Sequence, residues 1–138
     1  TQNYCVASPN SVGAGATISS SGSTSISAAT FVLNVSGGIP GNPGIVFYGP
    51  EQKQLPFGGG HLCVGPGILQ VYRLQPAVKM NSSGQASFSL NFTGPPVGSG
   101  PGAITAGSTW YFQFWYRDML GTPFSNNFSN AICVTFLP

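Results

Sequence analysis

The sequence predicts an all-β fold: an antiparallel β-sandwich of about eight or nine strands, immunoglobulin-like or jelly-roll-like in its Greek-key arrangement. Three observations carry this. Apolar residues alternate with period two in short segments. The 20 Gly and 12 Pro are spread so that few windows could hold three uninterrupted helical turns. Turn clusters separate the alternating segments at short intervals, the pattern of a sandwich. A closed barrel is the alternative, and no self-similarity of the kind that marks a solenoid or propeller is visible.

The first segments, ATISS (16–20) and STSIS (23–27), flank Gly22, and Ile18 and Ile26 suit the two arms of a hairpin. FVLNV (31–35) places Phe31, Leu33 and Val35 on one face. GIVFYG (44–49), HLCV (61–64) and QVYRL (70–74) are further strand candidates, and GPEQKQ (49–54) reads as an exposed turn. In ASFSLNF (86–92), Phe88, Leu90 and Phe92 oppose Ser87, Ser89 and Asn91, which marks a strand with one wet face. AICVTF (131–136) brings Ile132, Val134 and Phe136 together. Between these lie SGGIPGNPG, FGGG, VGPG, NSSG and GPPVGSGPG, whose Gly and Pro fix turns.

The chain of 138 residues is expected to form one domain, 1–138, large enough to bury a continuous core. Charged residues make up 4%, against roughly a quarter in ordinary soluble domains. Disorder would need high net charge and few aromatics, whereas the net charge here is +2 and the aromatic fraction 12%, so the chain folds. Its surface must therefore be built from Ser, Thr, Asn, Gln and backbone. Such a surface repels its copies weakly and favours self-association. Lys53, Arg73, Lys79 and Arg117 are scattered and make no phosphate-tracking stripe, which argues against nucleic acid. No apolar run approaches the length that spans a bilayer as a helix, and TQNYCVASPN lacks the pattern of a signal peptide, so a mature chain is expected.

Cys5, Cys63 and Cys133 match no metal or redox spacing, and the odd count allows one intrachain disulfide. Cys5 and Cys133 lie near opposite termini, which are often neighbours in a compact domain, so this pair is expected to bond. Such a bond points to an oxidising compartment.

The densest chemistry is QFWYRD (113–118). Alternation puts Trp110, Phe112, Phe114 and Tyr116 on one face and Tyr111, Gln113, Trp115 and Arg117 on the other. A strand apolar on both faces must be covered twice, or it would expose a large patch. The architectural reading sets Arg117 over Trp115 or Tyr111, with Asp118 satisfying the following turn, MLGTP. The binding reading makes Trp110, Tyr111, Trp115, Tyr48 and Tyr72 an aromatic platform for sugar rings, which requires at least two exposed, coplanar rings.

Catalysis has few materials. A triad needs a nucleophile, a base and an orienting group, and a glycosidase needs two carboxylates, but His61, Glu51 and Asp118 are the whole supply. The expectation is a noncatalytic protein without cofactor or metal. Asn34, Asn81, Asn91 and Asn127 begin Asn-x-Ser/Thr sequons, candidates for glycosylation in a secreted chain.

YC at 4–5, NSVG, GIVFYGP, LPFGGGHLCV, NSSGQASFSL, AGSTWYFQFWYRD and FSNAICVTFLP together resemble an extracellular module found at the ends of secreted proteins of planctomycete-type bacteria. LPFGGGHLCV and GSTWYFQFWYRD are the specific parts. This chain has Met119 where the family runs on into Pro, and Ala14 and Leu137 where it often has cysteine, departures that leave Cys63 without a family partner. The resemblance implies a secreted, noncatalytic β-module. The functional expectation is an extracellular structural or interaction protein that self-associates into a surface fibre or layer, through edge strands or aromatic patches. A carbohydrate-binding or adhesion module is the alternative.

Overall fold

A computed structural model of the chain describes residues 1–119 and 125–138. Ten strands are present among them: β1 Gln2–Tyr4, β2 Thr17–Ser21, β3 Val32–Ser36, β4 Pro43–Gly49, β5 Glu51–Phe57, β6 Gly60–Gly65, β7 Tyr72–Lys79, β8 Ala86–Ser89, β9 Thr109–Arg117 and β10 Asn126–Thr135. All named pairings are antiparallel. A five-stranded sheet in the order β1-β10-β9-β4-β7 faces a three-stranded sheet, β2-β3-β8, and a third, two-stranded sheet is the β5–β6 hairpin.

The principal core lies between the first two sheets. Phe31, Leu33 and Val35 from one side meet Trp110, Phe112, Phe114, Tyr116, Ile132, Val134 and Phe136 from the other. The alternation read from FVLNV, WYFQFWYR and AICVTF is therefore the alternation of the core. Rings lock together at its centre: Phe31 meets Phe136 edge to face at 5.2 Å, and Tyr48 stacks on Phe112 at 5.3 Å.

The opposite face of the five-stranded sheet is covered by the β5–β6 hairpin, an excursion between the paired strands β4 and β7. Phe47, Val64 and Phe128 form a second, smaller core there, with Leu62, Val71, Tyr111 and Trp115 against it. The strand apolar on both faces is thus covered on both.

A bulge makes this possible. On β10, Phe128 pairs with Trp115 and Ala131 with Gln113, so Ser129 and Asn130 together oppose Phe114. The extra residue inverts the parity of β10. Phe128 faces outward beside Trp115, whereas Ile132 and Val134 beyond the bulge belong to the inner core. The bulge is held by side chains: Ser129 Oγ accepts the Phe114 N–H at 3.0 Å, and Asn130 Oδ1 accepts the Ile18 N–H of β2 at 2.8 Å.

LPFGGGHLCV folds as the hairpin itself. Gly58 and Gly59 form a two-residue turn, and Gly58 has φ +57°, a conformation that side chains rarely tolerate. The turn also presses on β10, since a Cβ on Gly60 would collide with Asn127 Oδ1 and lie 3.1 Å from the Phe128 nitrogen.

Two sequence expectations fail locally. GPEQKQ is not a turn, because Glu51 begins β5 directly after Pro50. Gly22, at φ +78°, does turn the chain, but β2 pairs with β3, and STSIS makes only an isolated bridge from Ser25 to Leu137. Thr30 explains the first part: its backbone closes on Gly22 and its Oγ1 accepts the Ser23 N–H at 3.0 Å, carrying the chain past 23–27 before the return strand starts.

Candidate functional site

Gln113 is the pivot of the outer face. Its side chain is fully buried, and Oε1 accepts the Cys63 N–H at 2.9 Å. Its Nε2 donates to the carbonyls of His61 at 2.8 Å and of Ser129 at 2.7 Å. One amide thus ties β9 to the hairpin and to the bulge, leaving three backbone groups satisfied in a place water does not reach.

The N-terminal segment adds a second tie. β1 runs along β10 with Gln2 opposite Cys133 and Tyr4 opposite Ala131. The chain then leaves the sheet, and Cys5 bonds to Cys63 with a Cα–Cα distance of 6.4 Å. The expected Cys5–Cys133 bond is corrected: Cys133 is a free thiol. The register gives the reason. Cys5 lies three residues past the partner of Cys133, about 10 Å along a strand, beyond the reach of a disulfide. Tyr4 lies edge-on to Tyr111 at 5.8 Å and donates its hydroxyl hydrogen to the Cys63 carbonyl at 2.7 Å. Burial pushes the Tyr4 phenol well above its ordinary value, with the neighbouring Tyr111 and Cys133 acting in the same direction. Burial raises the Tyr111 phenol as well.

The five rings proposed as a platform do not converge. Trp110, Tyr48 and Tyr72 are in the inner core, and the Tyr48 hydroxyl donates to the Gly102 carbonyl at 2.7 Å. Strand parity turned them inward. Tyr111 is half-buried against Tyr4. Of the five, only Trp115 and Tyr72 line an open concavity, and Tyr72 is buried.

That concavity is a cleft of about 640 Å³. Ile45 and Phe47 of β4, Trp115 of β9 and Phe128 of β10 come from the sheet; Phe57 and Leu62 come from the hairpin. Gln70, Val71, Tyr72 and Arg73 form one side, and the Pro95–Pro96 turn contributes as well. Trp115 stacks on Phe128 at 6.1 Å with their planes 12° apart, and the Arg73 guanidinium lies 5.8 Å from the Trp115 ring centroid. The stacked cation is thus Arg73 and not Arg117. Arg117 is exposed, with Nη1 at 3.4 Å from Ser125 Oγ. A smaller hollow of about 280 Å³ adjoins the cleft, shares Ile45, Arg73 and Trp115 with it, and reaches Arg117. The Trp115 Nε1–H is buried without an acceptor among the described residues.

The remaining candidates are held apart by different partners. Asp118 is buried, and its Oδ2 accepts the Ser11 N–H at 2.9 Å. The MLGTP turn that it was expected to satisfy, 119–123, lies outside the described residues from position 120 on. His61 Nδ1 lies 3.3 Å from Ser8 Oγ, and Glu51 is exposed at the start of β5. No group of three His, Cys, Asp or Glu positioned to hold a metal occurs among the described residues. No helix there is long and apolar enough to cross a membrane.

Of the sequons, Asn81 and Asn91 are exposed and Asn34 is half-buried with Nδ2 on Ser21 Oγ at 3.1 Å. Asn127 is corrected as a glycosylation candidate: it is fully buried, and Nδ2 donates to the Pro9 carbonyl at 3.1 Å. Sequence reasoning missed the cleft, Arg73 and the clamp role of Gln113. An amide between four aromatics in a doubly apolar strand was the available signal for the clamp.

No family model, curated protein or solved structure matches the chain.

Proposed function

We propose that this chain is an extracellular, noncatalytic interaction protein that associates with copies of itself through the outer face of its five-stranded sheet. Exposed apolar side chains carry the reading: Phe57, which lines the cleft, is 52% exposed, Leu55 two residues before it on β5 48%, and Ile68 between β6 and β7 100%. Large apolar side chains left in water gain from being covered by a partner surface. With a net charge of +2 and 4% charged residues, little electrostatic repulsion keeps copies apart.

The route is side-chain contact and not strand addition. β7 and β5, the free edges on this side, carry Pro76 and Pro56. Proline offers no N–H to an incoming strand. The Cys5–Cys63 disulfide and the resemblance to secreted planctomycete-type modules support the location.

Sedimentation velocity at rising concentration tests the proposal. The expected result is a growing population of oligomers or filaments, abolished in the double variant Phe57→Ser, Ile68→Ser. A monodisperse monomer up to the solubility limit, in low and high salt alike, overturns it.

A further inference from the structure

We infer that the outer-face cleft binds a small organic carboxylate with an apolar body, such as an aryl or medium-chain alkyl acid. The inference goes beyond self-association and shares with it only the surface used.

Shape and lining set the body of the ligand. A volume of about 640 Å³ is the size of pockets that take small molecules. Phe47, Leu62, Val71, Trp115 and Phe128 line it, so most of what enters must be apolar to gain from leaving water.

Charge sets the head group. Arg73 lines both the cleft and the adjoining hollow, and Arg117 lines the hollow. No acidic residue lines either. Of the two acids in the chain, Asp118 is buried, with Oδ2 accepting the Ser11 N–H and Oδ1 without a partner among the described residues, and Glu51 packs beside Gly65 at the start of β5. Two guanidinium groups therefore flank Trp115 without a carboxylate in the lining to neutralise them. A guanidinium offers paired donors that match a carboxylate. Bare inorganic anions fit poorly, because the walls give them nothing in exchange for lost hydration.

The test uses naphthoate, its neutral analogue naphthalenemethanol, and inorganic phosphate, at a protein concentration where sedimentation shows monomer. That condition separates a failure here from a failure of self-association. Calorimetry and the two indole N–H resonances of Trp110 and Trp115 are the readouts. The expected result is saturable one-site binding of naphthoate that shifts the Trp115 signal and leaves Trp110 in place. The alcohol should bind roughly tenfold more weakly, and salt should weaken only the acid. Arg73→Gln, at an exposed position, should bring the acid down to the level of the alcohol while leaving the alcohol unchanged. Absence of saturable binding, equal binding of acid and alcohol, an Arg73→Gln variant that binds as before, or displacement by phosphate at concentrations comparable to naphthoate would each overturn the inference.

Discussion

The backbone N–H of Cys63 donates to Oε1 of Gln113 across 2.9 Å, joining the middle of β6 to the middle of β9 at a point where both residues are fully buried. The hairpin that walls the cleft is therefore attached to the sheet by a polar clamp as well as by apolar contact. The Cys5–Cys63 bond and the Tyr4 hydroxyl secure the same strand from the other side.

Gln113→Leu removes the clamp but keeps the size of the side chain. It strands the Cys63 N–H and the carbonyls of His61 and Ser129. Leaving buried backbone groups unpaired costs about 1–3 kcal/mol each, with partial relief where water enters, so a net loss of about 3 kcal/mol is expected. Urea unfolding measures it, and amide exchange should show the loosening centred on β6. An unchanged midpoint would show that apolar packing alone retains the hairpin.

Peptide mapping without reduction should recover Cys5 linked to Cys63 and Cys133 as a free thiol. The bond spans 58 residues, and in the chain-entropy model it stabilises the fold by about 4 kcal/mol. Cys5→Ser should therefore lower stability by several kcal/mol, while Cys133→Ser should be close to neutral. A Cys5–Cys133 peptide in the digest would contradict the β1–β10 register.

The contrast between those cysteines shows what the sequence could and could not convey. Period-two alternation located the strands of the principal core, because burial on one face of a strand leaves a direct trace in residue order. Pairing the termini was a statement about average proximity, and a disulfide is decided within a few ångströms. The bulge at Ser129 and Asn130 hid the outward turn of Phe128, since it inverts parity without any Gly or Pro to mark it. Trp110, Tyr48 and Tyr72 looked like ligand-stacking rings by type alone, yet their parity already placed Trp110 with Phe112 and Phe114 in the core. The cleft was illegible for a different reason: its walls come from β4, β5, β6, β7, β9 and β10 and from two loops, so no local segment carries it.

Produced in a glycosylating secretory host, the protein should carry glycan at Asn81 and Asn91, both exposed outside regular strands, and none at Asn127. Folding removes Asn127 from solvent and commits its amide to Pro9. Intact mass and glycosidase-labelled peptides check the sites. Glycan on Asn127 in folded, secreted material would mean that β10 does not dock as described.

Stability should also fall at alkaline pH, and the tyrosines set the direction. Burial raises the phenols of Tyr48 and Tyr116 above their ordinary value, with Tyr72 adding to the effect at Tyr48. At Tyr116, hydrogen bonds from Asn10 and Ala16 pull the other way and do not cancel burial. Below the unfolded phenol value of about 10, both residues are protonated whether the chain is folded or not, and their contribution to stability is constant. Above it, the unfolded chain releases protons that the fold retains, so unfolding becomes easier with each increment of pH. The urea midpoint should be flat to about pH 9 and decline beyond about pH 10. Tyr116→Phe should make the decline shallower, because one retained proton is gone. A decline of the same slope in that variant would assign the alkaline sensitivity to groups other than Tyr116.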